Sequence, residues 1–182
     1  MAIRKILTFP DPTLKEESQD VENIDGRVVE ALEDMAQTMY AAPGVGLAAP
    51  QVGLQERLIV VDIGDEEDGS GERGRKLIEV INPVIEEEEG SIIWEEGCLS
   101  VIDFQAEVKR ANRIWLKGYD RDQNEISLEA EGFLAVALQH EIDHLDGTLF
   151  LDHLSRLKRD MYGRRVKKAL REGRPIAREE DD

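Results

Sequence analysis

The sequence predicts an α+β domain in which antiparallel β-sheets pack around a buried central helix carrying His140-Glu141-Ile142-Asp143-His144. Three observations predict it. Short segments with alternating apolar residues occupy the middle of the chain, as in strands of an antiparallel sheet. At Gly132 the apolar period changes from that of a strand to that of a helix. The helix that follows is apolar nearly all round, the mark of a buried helix, and strands segregated from a few helices define the α+β class.

In chain order, Ile3 to Thr8 read as a short strand or extended arm, and Asp11-Pro12 marks a turn. A helix follows Asp25-Gly26, with Val28, Leu32, Met35 and Met39 on one apolar face, and Ala42-Pro43-Gly44 ends it. Gly44 to Gly53 reads as a tight loop leading into the strand Leu58 to Ile63. Asp65 to Lys76 is polar and reads as an exposed loop. Leu77 to Ile85 predicts a strand and Glu86 to Glu89 a solvated turn. Ala106 to Val108, Ile114 to Tyr119 and Ile126 to Ala130 predict further strands. On the central helix Phe133, Ala137, His140 and His144 share one stripe, and Leu134, Leu138, Ile142 and Leu145 a neighbouring one, with Gly147 as the stop. A basic helix over about 154–171 and a frayed tail at Arg178 to Asp182 complete the chain.

A length of 182 residues fits one domain spanning 1–182. The longest apolar stretches fall well short of the roughly 18 residues of a membrane span, and Met1 to Lys5 lack the features of a secretory signal. The single cysteine, Cys98, cannot form an intrachain disulfide, which fits a reducing, cytoplasmic setting. A net charge of −17 argues against DNA and anionic membranes as partners.

His140 and His144 are four residues apart on a helix, so their Cβ atoms lie about 5–6 Å apart on one face and two imidazoles can reach one cation. Glu141 can then sit beside a hydrolytic water without binding the metal. The bland alternative is a pair of core histidines satisfied by backbone carbonyls. It is weakened by the cost of burying two imidazoles and two carboxylates with nothing to hold. A catalytic metal commonly takes three protein ligands and keeps one position open. Residue chemistry leaves His153 and Cys98 as candidates for the third. The glycines of Gly44-Val45-Gly46-Leu47-Ala48-Ala49-Pro50-Gln51-Val52-Gly53 suit close backbone approach, as in the wall of a peptide cleft. The segment lacks the lysine of a phosphate-binding loop.

Three segments together resemble the peptide deformylase family. They are Gly44-Val45-Gly46-Leu47-Ala48-Ala49-Pro50-Gln51, then Glu96-Gly97-Cys98-Leu99-Ser100, then Gln139-His140-Glu141-Ile142-Asp143-His144. The resemblance implies Cys98 as the third ligand beside His140 and His144. It implies Fe2+ as the usual ion, with Zn2+, Ni2+ or Co2+ able to replace it. It implies hydrolysis of the formyl group from N-formylmethionyl ends of nascent proteins. Glu141 would be the proton carrier, with the Gln51 side chain and the Leu99 backbone N–H as oxyanion donors. Val45, Phe133, Val136 and Ala137 would line the methionine pocket, and the backbone around Gly44, Gly46, Glu96 and Gly97 would bind the peptide as an added strand. The resemblance also admits docking of the basic C-terminal helix on the ribosome. The chain departs from the family at Val101-Ile102-Asp103-Phe104-Gln105, where a proline and an arginine are missing, while Arg110 stands near a family arginine. Two other readings compete: a zinc peptidase sharing His-Glu-x-x-His, and an inactive metal-holding module that binds peptides.

Overall fold

A computed structural model describes residues 2–64, 73–74 and 76–176. The exposed loop expected at Asp65 to Lys76 lies mostly outside the described residues, and the tail at Arg178 to Asp182 wholly outside. Residues 2–8 run as an extended arm outside the named strands. Its Leu7 N–H donates to the Gln51 carbonyl at 2.7 Å, and its Phe9 N–H to the Ser100 carbonyl at 2.8 Å. The arm thereby ties together two segments that meet at the site.

Helix α1 spans Gly26–Ala41. It begins because the Asp25 carboxylate accepts from the N–H groups of Arg27 and Val28, at 3.0 and 3.2 Å, satisfying donors that a helix start leaves open. Its expected stripe of Val28, Leu32, Met35 and Met39 is fully buried.

The segment read as a loop contains strand β1, Gly46–Ala48, followed by a tight 3-10 turn, Ala49–Val52. Three residues are too few to display alternation, and pairing with β2, Leu58–Val61, makes them a strand. The four residues of β2 are all buried because both faces are covered. Leu58 and Val60 pack on the α1 side, while Ile59 and Val61 pack on the α2 side. A continuous apolar run is the sequence form of such a strand.

Strand β3, Ile78–Glu89, runs straight through the acidic stretch expected to turn. Its first half pairs with β2, whereas Glu87, Glu88 and Glu89 pair only with β6, opposite Trp115, Ile114 and Arg113. Beyond the end of β2 the strand faces solvent, so glutamates are tolerated there. Lys117 pairs with Glu86 at 2.8 Å across the two strands.

Strands β4, Ile92–Cys98, and β5, Val101–Arg110, form a separate hairpin. Strands β6, Arg113–Tyr119, and β7, Glu125–Glu131, complete the larger antiparallel sheet, in the order β1-β2-β3-β6-β7. Helix α2, Gly132–Leu145, packs on this sheet and meets the hairpin through Phe133 on Trp94 and His140 on Glu96. Its stop at Gly147 has φ +69, and a Cβ there would lie 2.5 Å from the Lys15 carbonyl oxygen, so only glycine fits. Helix α3, Arg156–Glu172, caps the hairpin through Tyr162 and Val166, which pack with Val101, Val108 and Phe150. No helix among the described residues is long and apolar enough to cross a membrane.

Candidate metal centre

Helix α2 and the end of β4 bring Cys98, His140 and His144 together, with one ligand atom from each lying within 4.8 Å of the others. Cys98 Sγ is 3.3 Å from His144 Nε2. Cys98 closes β4 immediately before the tight reversal into β5, so its thiol projects from a rigid hairpin end. His153, the other candidate ligand, lies apart: its Nε2 is 2.7 Å from the Asp143 carboxylate.

The orientation of His140 is set from behind. Its Nδ1 lies 2.8 Å from Glu96 Oε2, which leaves Nε2 for the side of Cys98. Glu96 is clamped by Arg110, with Nε to Oε1 at 2.7 Å and Nη2 to Oε2 at 3.0 Å. Arg110 also donates to Asp143 at 2.6 Å. Burial works to raise the Glu96 carboxyl, but Arg110 and His140 outweigh it and hold it at about 2. Glu96 lines the cleft, yet its carboxylate is directed at Arg110 and His140. Burial lowers the pKa of His144, which favours the neutral imidazole that a cation requires.

Glu141 is buried, and its Oε2 has no hydrogen-bond partner among the described residues. Burial pushes its carboxyl up to about 7. A carboxyl near neutrality can take and return a proton at physiological pH. The residue leans on β1, because the space beside Gly46 is filled by the Glu141 carboxylate.

Gln51 sits at the end of the 3-10 turn. Its Oε1 accepts from the Ala48 N–H at 2.8 Å, which fixes the amide orientation. Its Nε2 then donates to Ser100 Oγ at 3.1 Å and faces Cys98 Sγ at 3.6 Å. A donor is thus held beside the ligand cluster.

A cleft of about 440 Å³ opens over these groups. Gly44, Val45 and Gly46 form one wall, and Glu96, Gly97, Cys98 and Leu99 the facing one. Phe133, Val136 and Ala137 project from α2 into the same space, so all the expected pocket residues meet there. The structure adds Trp94, whose ring stacks on Phe133 at 5.0 Å and 12°. No local signal in the sequence ties Trp94 to a partner 39 residues on. Asp103, Phe104 and Gln105 also line the cleft.

Two histidines and a thiol converging beside an unpartnered buried carboxylate oxygen suit a soft or borderline divalent cation with an open position for water. Residues 3–160 match the family model for polypeptide deformylase. The peptide deformylase of Syntrophobacter fumaroxidans is 49% identical over 94% of this chain and 98% of its own length. That of Thermodesulfovibrio yellowstonii is 47% identical over 92% of this chain and 98% of its own. Among solved structures, a peptide deformylase from Legionella pneumophila superposes with a TM-score of 0.85 at 44% identity, covering 94% of this chain and 98% of that one. One from Ehrlichia chaffeensis, in complex with actinonin, has a TM-score of 0.84 at 40% identity, covering 92% and 98%.

Proposed function

The chain belongs to the peptide deformylase family, and on that premise we propose that Cys98, His140 and His144 hold its catalytic cation, with Glu141 as proton carrier. The reaction is metal-dependent hydrolysis of the N-formyl group from the terminal formyl-methionine of newly made proteins, releasing formate. The observation that carries the assignment is the convergence of three ligand atoms beside the unpartnered Glu141 oxygen.

When bound, the cation supplies Lewis acidity and a water nucleophilic near neutral pH. Glu141 Oε2 accepts the proton of the attacking water and returns it to the departing amine. The Gln51 amide and the Leu99 backbone N–H donate to the formyl oxygen as it gains charge, from positions set before substrate arrives. Val45, Phe133, Val136 and Ala137 enclose the methionine side chain. The peptide backbone lies as an added strand between the Gly44–Gly46 wall and the Glu96–Gly97 wall.

Fe2+ is the proposed resident ion, with Zn2+, Ni2+ or Co2+ able to occupy the same ligands. The Cys98 thiolate donates more charge than a third imidazole, which moderates the Lewis acid and suits iron. The proposed setting is the cytoplasm. There the basic residues Arg156, Lys158, Arg159, Arg164, Arg165, Lys167, Lys168 and Arg171 of α3 would dock near the ribosomal exit.

Anaerobic metal analysis with a formate-release assay tests the site. Wild type should release formate from formyl-methionyl peptides without cutting internal bonds. Glu141→Ala should keep its metal and lose at least about 10²–10⁴ in rate. Full activity in that variant would remove Glu141 from the mechanism, and internal cleavage would favour a peptidase.

A further inference from the structure

A second groove, of about 650 Å³, runs between α3 and the β4–β5 hairpin. Glu95, Asp103, Phe104 and Gln105 line both this groove and the cleft over the metal centre, so the two adjoin along one shared wall. Its far wall is α3, which presents Arg164, Arg165 and Lys168.

In a chain with 40 acidic and 23 basic residues, α3 carries a run of cations, and these three are the ones that face the groove. Arg4, Arg27, Arg57, Arg110, Arg113 and Arg121 each pair with a carboxylate. Among the described residues, Arg164, Arg165 and Lys168 form no ion pair. Arg165 is fixed in place. Its guanidinium lies 5.0 Å from the Tyr162 ring centre and 5.9 Å from that of Phe104, and Nη2 donates to the Asp103 carbonyl at 2.8 Å. Its Nε is buried without a hydrogen-bond partner. Among the described residues, Arg164 is held by a 3.3 Å bond from Nε to the Asp160 carbonyl. The two carboxylates, Glu95 and Asp103, sit on the wall shared with the cleft, so the groove is anionic where it leaves the cleft and cationic at α3.

We infer that this groove extends the peptide-binding cleft and receives a carboxylate side chain of the substrate downstream of its formyl-methionine, with Arg164 and Lys168 as the selecting cations. The inference rests on the reading of the cleft as the deformylase site. The shared wall brings the groove within reach of a peptide leaving that cleft, and the unpaired cations select its charge. An exposed ion pair contributes modestly, so the expected preference is about twofold to fivefold.

The experiment uses metal-loaded enzyme and formyl-Met peptides that differ only in carrying Glu, Gln or Lys at one downstream position at a time. At one position the Glu peptide should exceed the Lys peptide in kcat/KM by about twofold to fivefold, through KM, and the advantage should shrink in high salt. Arg164→Gln with Lys168→Gln should bring the ratio towards one. Arg164→Glu with Lys168→Glu should reverse it, a result that impaired folding cannot imitate. Equal kcat/KM at every position, or an order unchanged by the charge reversal, would overturn the inference and leave these cations to another partner such as RNA. Absence of formate from every peptide would instead overturn the deformylase reading beneath it.

Discussion

The carboxylate of Glu141 occupies the space in which a side chain on Gly46 would begin. The proposed base is therefore positioned by a strand as well as by its own helix, and this contact demands glycine at residue 46. Gly46→Ala should push the carboxylate off its line to the substrate. A displacement of about 1 Å at a reacting group can lower the rate on the order of 10²-fold. Steady-state kinetics should show that loss in kcat with metal content unchanged. A wild-type kcat in Gly46→Ala would mean that the contact does not position the base.

The clamp behind His140 makes two separable predictions. Glu96→Gln keeps the shape but weakens the hold on the imidazole, so chelator competition should show metal affinity lower by about 10–100-fold. Arg110→Met strands Glu96 as a buried charge, and urea unfolding should show a loss of about 3–5 kcal/mol. An unaltered midpoint in Arg110→Met would show that Glu96 finds another partner.

The Trp94–Phe133 stack, at 5.0 Å, shapes one side of the cleft away from the ligand cluster. Trp94→Ala frees Phe133 in the proposed methionine pocket while leaving Glu141 and the proposed ligands in place. KM for a formyl-Met peptide should rise by roughly tenfold with kcat nearly unchanged, the signature of lost uniform binding. A fall in kcat alone would contradict that division.

The parts of the site legible in the sequence are those set by local spacing. His140, Glu141 and His144 follow from the geometry of one helix, and the α1 stripe follows in the same way. A lone cysteine carries no period, so residue chemistry leaves Cys98 open against His153, and only the deformylase resemblance implies Cys98. The Glu96–Arg110–Asp143 clamp was hidden because its members stand on different elements and meet only in three dimensions. The same reason explains β1, which is a strand only through its pairing with β2. Glu86 to Glu89 misled because charge reports exposure, whereas strand formation there depends on the partner β6.

Away from the metal centre, Asp62 links stability to pH. It accepts from the Tyr40 hydroxyl at 2.7 Å and from the N–H groups of Gly64 and Gly74 at 2.9 and 2.6 Å. Burial works to raise its pKa, but these three donors, with the charge of Arg73, prevail, and the carboxyl is held below its ordinary value. The unfolded chain then binds the proton more readily than the folded one. The stabilisation is full above the unfolded value of about 3.9 and is lost as pH falls through the lower folded value. Asp62→Asn should be less stable at pH 7, by about 1–3 kcal/mol, because a neutral amide accepts these donors less well. It should also lose less stability on acidification, so its curve and the wild-type curve should converge below about pH 4. Tyr40→Phe removes one of the donors, so the folded value moves towards the unfolded one, and the loss on acidification should be smaller and complete at a higher pH than in wild type. Denaturant titrations at steps from pH 7 down to the acid limit would measure all three, and parallel curves would exclude Asp62 as the linked group.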